Sequence, residues 1–68
     1  MTVFDKLWIT MKKKGLSTYK LREKCGIDSK TIRGLKANEN IETQTIDKIC
    51  SVLNCRIEDV VEYVDSKE

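Results

Sequence analysis

The 68-residue sequence has no histidine and no proline, and its three glycines stand at positions 15, 26 and 34. Histidine is the commonest acid–base catalyst and metal ligand, and no glycine-rich phosphate loop follows a strand pattern. A chain of this size also has little room for a substrate cavity. We therefore expect no enzymatic activity, no catalytic residues, no cofactor, no metal and no small-molecule ligand.

Long apolar runs are absent as well. No stretch approaches the ~18 residues of a membrane span, and the N-terminus lacks the hydrophobic segment of a signal peptide. The 40% hydrophobic and 35% charged residues are typical of a folded chain. Leu, Ile, Lys and Glu are frequent and no strand pattern is convincing, which favours helices. We expect one all-α domain over residues 1–68, in the cytoplasm and not in a membrane.

The three cysteines, Cys25, Cys50 and Cys55, do not have CxxC spacing. Three cysteines without histidine make a poor zinc site, and an odd count without a secretory signal argues against a disulfide framework. Cys25 and Cys50 lie on apolar stripes of predicted helices, and Cys55 follows a helix end where an apolar side chain is expected. Buried thiols are the favoured interpretation, and a redox-sensing pair of Cys50 with Cys55 is the alternative.

The two halves of the chain carry opposite charge. Residues 1–36 hold ten Lys and Arg but three acids, a net charge of +7, whereas residues 37–68 hold eight acids and three bases, a net charge of −5. A basic half beside an acidic half indicates that one surface faces a polyanion such as a nucleic acid. Uneven charge is also common in small proteins that bind no polyanion, so it does not by itself establish nucleic-acid binding.

The segment 17–36 predicts two short helices, about 18–25 and 29–37, joined by a tight turn. Their apolar faces are formed by Leu21, Cys25, Ile32 and Leu35. Ser17 and Asp28 are the expected N-caps, and Gly26 supplies the left-handed turn. Two helices that each bury one stripe and meet at a glycine turn form a helix-turn-helix, whose second helix can enter a DNA major groove.

Three further helices are predicted around this segment. They span about 3–14, 43–53 and 57–63. Thr2 is the expected N-cap of the first, and the tail 65–68 has nothing to bury and is expected to fray. Left-handed residues that end helices are expected at Gly15, Asn38 and Asn54. The last helix has more apolar residues than one packed face needs: Val60, Val61, Tyr63 and Val64. This patch is either the candidate dimer surface or part of the core.

A family pattern runs through most of the chain. Its residues are Leu16-Ser17-Thr18, Leu21, Cys25-Gly26-Ile27, Thr31-Ile32, Leu35, Thr45-Ile46, Lys48-Ile49, Leu53-Asn54-Cys55 and Asp59-Val60. This pattern resembles the phage repressor/Cro-type (XRE-like) helix-turn-helix family of DNA-binding transcriptional regulators, in its compact single-domain form. The resemblance implies a five-helix, lambda repressor-like fold that binds double-stranded operator DNA, usually as a homodimer on a two-fold site.

The resemblance also implies roles for single residues in the two helices of the motif. The base-reading positions fall on Ser29, Lys30 and Gly34, with Arg33 adjacent. The phosphate-contacting positions fall on Thr18, Thr31, Lys36 and Asn38. Independently of the family, Lys and Arg can donate to guanine and Ser can pair with several base edges. The Ser17 hydroxyl, at a helix N-terminus, is a further candidate for a phosphate contact.

Three positions depart from the family pattern. Thr18 is shorter than the glutamine with which the family often clamps a phosphate. Arg22 stands where the family usually has alanine, so its side chain must extend outward or contact phosphate. Gly34 removes a side chain from a reading position and weakens its helix relative to alanine. It either lets the helix backbone approach the groove closely or lies where nothing needs packing.

We therefore expect a sequence-specific DNA-binding transcriptional regulator, acting as a repressor, with the helix at about 29–37 in the major groove. The alternative is a protein-interaction module, such as an antitoxin or anti-repressor, whose acidic half carries the function.

Overall fold

The computed structural model describes residues 1–65, which form four α-helices, one 3-10 turn and a two-stranded antiparallel sheet. In chain order the elements are β1 (Thr2–Val3), α1 (Asp5–Lys13), α2 (Thr18–Cys25), α3 (Ser29–Lys36), α4 (Thr43–Leu53), the 3-10 turn (Ile57–Asp59) and β2 (Glu62–Tyr63). The predicted tail 65–68 lies, apart from Asp65, outside the described residues. Within the described range, no helix is both long and apolar enough to cross a bilayer.

One apolar core joins the four helices. Each helix directs a stripe of side chains inward, and the fully buried members are Leu7, Leu21, Leu35 and Ile49, one from each helix. Val60, which follows the 3-10 turn, is also fully buried and completes the core. Because α2 packs on α4 and α3 packs on α2, the helix-turn-helix is held in place by the rest of the domain.

Each of the four helices ends in the same way, at a residue in the left-handed conformation. The φ angles are 67° at Gly15, 68° at Gly26, 57° at Asn38 and 52° at Asn54. In each case the next amide donates back to the carbonyl five residues earlier. These bonds join Leu16 to Met11 (2.9 Å), Ile27 to Arg22 (3.2 Å), Glu39 to Gly34 (2.9 Å) and Cys55 to Cys50 (3.2 Å). The predicted left-handed ends are therefore confirmed, and they form Schellman-type caps.

The predicted fifth helix over 57–63 is wrong, although the helical class holds for the body of the domain. Ile57–Asp59 makes only a 3-10 turn, and Glu62–Tyr63 is a strand antiparallel to Thr2–Val3. Residues 60–64 are rich in β-branched and aromatic side chains, which favour extended backbone once a partner strand is available. That partner comes from the opposite end of the chain, so no local pattern could indicate it.

The start of the first helix also differs from the prediction. Thr2 lies in β1 opposite Tyr63 and caps no helix, and α1 begins at Asp5 after Phe4, which makes no side-chain cap. Instead, the Phe4 amide donates to Oδ1 of Asn38 at 2.8 Å. Asn38, just beyond α3, thus satisfies the amide at the beginning of α1 and links the C-terminal end of α3 to the N-terminal end of α1.

Candidate nucleic-acid interface

The segment from α2 to α3 has the geometry that a helix-turn-helix requires. At the N-terminus of α2, Oγ of Ser17 accepts a hydrogen bond from the Lys20 amide at 3.2 Å. At the N-terminus of α3, Oδ1 of Asp28 accepts one from the Thr31 amide at 2.9 Å. Gly26 turns the chain between them in the left-handed conformation. Both N-cap predictions and the glycine turn are confirmed.

The two N-caps differ in charge, and this difference matters for anion binding. Hydrogen bonds from the backbone amide and the hydroxyl of Thr31, the latter at 2.8 Å, hold the pKa of Asp28 below its ordinary value of 3.8. Asp28 is therefore ionised at neutral pH and places a negative charge at the start of α3. Ser17 at the start of α2 is neutral. The start of α2, where no carboxylate offsets the helix dipole, is therefore the better suited of the two helix ends to an anion.

The outward face of α3 is basic. Its exposed residues are Ser29, Lys30, Arg33 and Lys36, whereas Ile32 and Leu35 are buried on the opposite side. Within residues 1–65 no carboxylate forms an ion pair with any of the three cations. A row of unpaired cationic donors on a supported helix is suited to a polyanion and to the acceptor edge of guanine.

Gly34 does not belong to that outward face. It is buried, and a Cβ atom at this position would lie 3.4 Å from Oε1 of Glu39 and 3.4 Å from Cδ1 of Ile41. The loop after α3 therefore covers the position, and a side chain there would meet the loop and not solvent. The sequence left two interpretations of Gly34. The structure gives no support to the one in which the missing side chain lets the helix backbone approach the groove closely.

Three candidate phosphate contacts have internal partners or covered atoms. The Thr31 hydroxyl already donates its proton to Asp28, and Oδ1 of Asn38 already accepts from Phe4. Arg22 is half-buried, and its Nε is covered and lacks a hydrogen-bond partner among the described residues. A buried N–H without an acceptor is costly, so an oxygen ligand would stabilise Arg22 if its side chain moved to uncover Nε.

The remaining phosphate candidates are freer to bind. Ser17 is exposed and uses its oxygen as an acceptor toward Lys20, so its hydroxyl proton stays available to donate. Thr18 is half-buried in the first turn of α2, and Lys36 is exposed at the end of α3.

Sequence reasoning missed two features of this surface. Tyr19 is 60% exposed in the first turn of α2 and presents a phenol hydroxyl beside Thr18. The sequence could have indicated this exposure, because Tyr19 does not lie on the apolar face of α2 that contains Leu21 and Cys25. The bond from Phe4 to Asn38 had no such signal, because its partners are 34 residues apart.

Comparisons with known proteins agree with this geometry. The family model for the Cro/C1-type HTH DNA-binding domain matches residues 6–66. A crystal structure of the transcriptional regulator VanUg (Form II) is similar, with a TM-score of 0.87 and 30% sequence identity. That likeness covers 93% of this chain and 84% of the other. The search of curated proteins returned no match. Since the family model covers nearly the whole sequence, the chain belongs to the family of Cro/C1-type helix-turn-helix DNA-binding domains.

Proposed function

We propose that this protein is a sequence-specific transcriptional regulator that inserts α3 into the major groove of double-stranded DNA. The observation that carries the proposal is the exposed cationic face of α3, which has no ion-pair partner among residues 1–65, on a capped and supported helix-turn-helix. An α-helix fits the major groove, where each base pair presents a distinct set of donors and acceptors. The similarity to VanUg, which is a transcriptional regulator, supports the regulatory role.

Base reading is assigned to Ser29, Lys30 and Arg33, which share the outward face of α3. Each of the two cations can donate to O6 and N7 of guanine, and the serine can pair with several base edges. Gly34, the fourth position implied by the family, is covered by the loop after α3 and contributes no contact in this proposal.

Phosphate contacts are assigned first to Ser17, Thr18, Arg22 and Lys36. Ser17 and Thr18 offer hydroxyls beside the neutral N-terminus of α2. Arg22 offers a guanidinium whose Nε has no hydrogen-bond partner among residues 1–65. Asn38 keeps its amide nitrogen as a donor while its oxygen binds Phe4. Thr31 ranks last because a phosphate would have to replace its bond to Asp28.

The test is selection of bound duplexes from a random pool, followed by affinity measurements on the selected site. Lys30→Ala and Arg33→Ala should each lower discrimination between the selected and unrelated sites by about 1–3 kcal/mol per lost bidentate contact. Lys36→Ala should weaken binding to all sequences alike. Lys48→Ala, which removes an exposed lysine from α4, is the matched control and should change neither quantity. Unchanged sequence preference in both α3 variants would refute the assignment.

Salt dependence separates this function from the alternative of a protein-interaction module. A DNA binder should lose affinity steeply with salt, with a log–log slope near −0.9 for each phosphate contact. Absence of binding to any duplex at low salt would favour the interaction module, whose acidic half would then be the functional surface.

We further propose that the regulator is a repressor and binds as a homodimer. The candidate dimer residues of the C-terminal segment differ in exposure. Val60 is fully buried and Val61 is half-buried, whereas Tyr63 and Val64 are 74% and 42% exposed. The exposed pair supplies apolar surface for a second copy. Tyr63→Lys should therefore weaken cooperative binding to a two-fold site and leave binding to a half-site unchanged. A promoter–reporter fusion carrying the selected site tests repression directly.

A further inference from the structure

The end of α4 brings two thiols together. Cys50 lies in the last turn of the helix, Asn54 takes the left-handed conformation, and the Cys55 amide donates to the Cys50 carbonyl at 3.2 Å. In this type of helix end the side chains of those two positions usually contact each other, and both are usually apolar. At the end of α1 the corresponding pair is Met11 and Leu16. Here both positions are cysteines, and each thiol acts on the pKa of the other.

Both thiols are accessible to small molecules. Cys50 and Cys55 are half-buried and free, in contrast to Cys25, which is only 7% exposed. Cys55 also lines an open cleft of about 650 Å³ between the ends of α1 and α4, together with Lys13 and Lys14. A peroxide molecule can therefore reach Cys55 without unfolding of the domain.

We propose that Cys50 and Cys55 form a reversible disulfide when the protein meets a peroxide, and that this bond fixes the end of α4 while leaving the DNA-binding surface unchanged. The Schellman-type end already holds the two positions side by side, so closing the bond needs little movement of the backbone. Cys50 and Cys55 lie outside α2 and α3. Only the DNA-binding part of this inference rests on the proposed function.

The chemistry balances with hydrogen peroxide as the oxidant. The Cys55 thiolate attacks one peroxide oxygen, the O–O bond breaks, and a sulfenic acid forms with loss of hydroxide, which takes a proton and leaves as water. The Cys50 thiolate then attacks the sulfenyl sulfur and displaces a second hydroxide, which also leaves as water. Two thiols and one peroxide thus give one disulfide and two waters. A small dithiol reverses the reaction by exchange.

The surroundings set the pH dependence of this reaction. Burial raises the pKa of both thiols above the ordinary 9.0, and each is raised further by nearby acidic groups. For Cys50 these groups are the Cys55 thiol and then Asp47 and Asp59. For Cys55 the group is Asp59, while a hydrogen bond with Cys50 and the charge of Lys14 lower the pKa. The thiolate is the reactive form, so oxidation should be slow at neutral pH and should accelerate about tenfold per pH unit up to the thiol pKa.

The experiment treats the purified full chain with hydrogen peroxide and then alkylates the remaining thiols. The expected product is monomeric, has lost two hydrogen atoms, and carries one alkylated thiol at Cys25. A dithiol should restore all three thiols. The oxidised protein should also melt about 5–15 °C higher, because the bond restricts the unfolded chain. Cys50→Ser and Cys55→Ser should each abolish this shift, and Cys25→Ser should retain it.

Three outcomes would overturn the inference. Addition of oxygen atoms without loss of thiol hydrogens would mean that the sulfenic acid finds no partner. A disulfide between two chains, or one that includes Cys25, would mean that the thiols do not meet as described. A change in affinity for the selected duplex on oxidation, reversed by the dithiol, would refute the claim that the DNA-binding surface is unaffected.

Discussion

Replacement of Gly34 by alanine separates a structural role of this glycine from a role in DNA reading. The residue lies inside α3 and has an ordinary right-handed backbone. The glycines with positive φ are Gly15 and Gly26. An added Cβ would meet Glu39 and Ile41 at 3.4 Å, which is ordinary van der Waals contact. No steric conflict in the free domain therefore requires glycine at this position.

The expected effect of Gly34→Ala is stabilisation. Alanine in a helix interior is favoured over glycine by about 1 kcal/mol. Burial of the new methyl group against the loop adds up to ~0.8 kcal/mol. A gain of about 1–1.8 kcal/mol corresponds to a rise in Tm of roughly 4–14 °C for a domain of this size. Denaturant unfolding should show a higher midpoint with an unchanged slope.

Gly26→Ala is the matched control, with the opposite sign. No atom lies within 4 Å of a Cβ at this position, so only the backbone conformation, at φ 68°, opposes the change. The left-handed conformation should destabilise the domain by about 1 kcal/mol. Gly34→Ala should also leave affinity for the selected duplex unchanged. A destabilised Gly34→Ala variant would refute the packing argument, and a stable variant that no longer binds DNA would restore the groove-approach interpretation.

Three further predictions concern the ends of α2 and α3. Asn38→Gly preserves the left-handed backbone but leaves the Phe4 amide without its acceptor. The unfolding free energy measured by denaturant titration should therefore fall by about 1–3 kcal/mol. Asn38→Asp keeps the acceptor, so its unfolding free energy should fall by less. Because the pKa of Asp28 is lowered on folding, its stabilising effect is present above pH 3.8 and is lost as the pH falls through the folded-state value. Melting curves between pH 6 and pH 2, taken as about the range over which a carboxyl titrates, should therefore show a shallower acid decline for Asp28→Asn than for the native chain, and parallel curves would contradict this. Ser17→Ala should cost about 1 kcal/mol of stability and also weaken binding to every duplex, whereas an effect on stability alone would mean capping without a phosphate contact.

The helices of this domain could be predicted because the signals that define them are local. α2 and α4 have the bounds that the sequence indicated, and α3 ends one residue earlier. The left-handed ends at Gly15, Gly26, Asn38 and Asn54 follow from the residue types that tolerate positive φ. The caps at Ser17 and Asp28 follow from side chains that can accept from the first turn.

The features that escaped prediction depend on distant partners. Tyr63 and Thr2 become strand residues only because they meet each other, and 60 residues separate them. The placement of Gly34 depends on how the following loop folds back, which its helix position alone does not specify. The base-reading residues remain a proposal, since exposure and charge identify a surface and not the sequence it binds.

The pairing of β1 with β2 has a consequence for the order in which the domain opens. The ribbon pairs the two ends of the described chain, and only two residues of each strand take part. Phe4 and Val60 are buried in the core just inside it, so the ribbon can open while the helices stay packed. The ribbon is thus the natural first unit to open. In native-state amide exchange the Val64 amide, which donates to Met1 at 2.7 Å, should lose protection well before the amides of α4. Each such opening would uncover Val3 while the helix-turn-helix stays folded, so the domain can loosen at its two ends without disturbing the proposed DNA-binding surface.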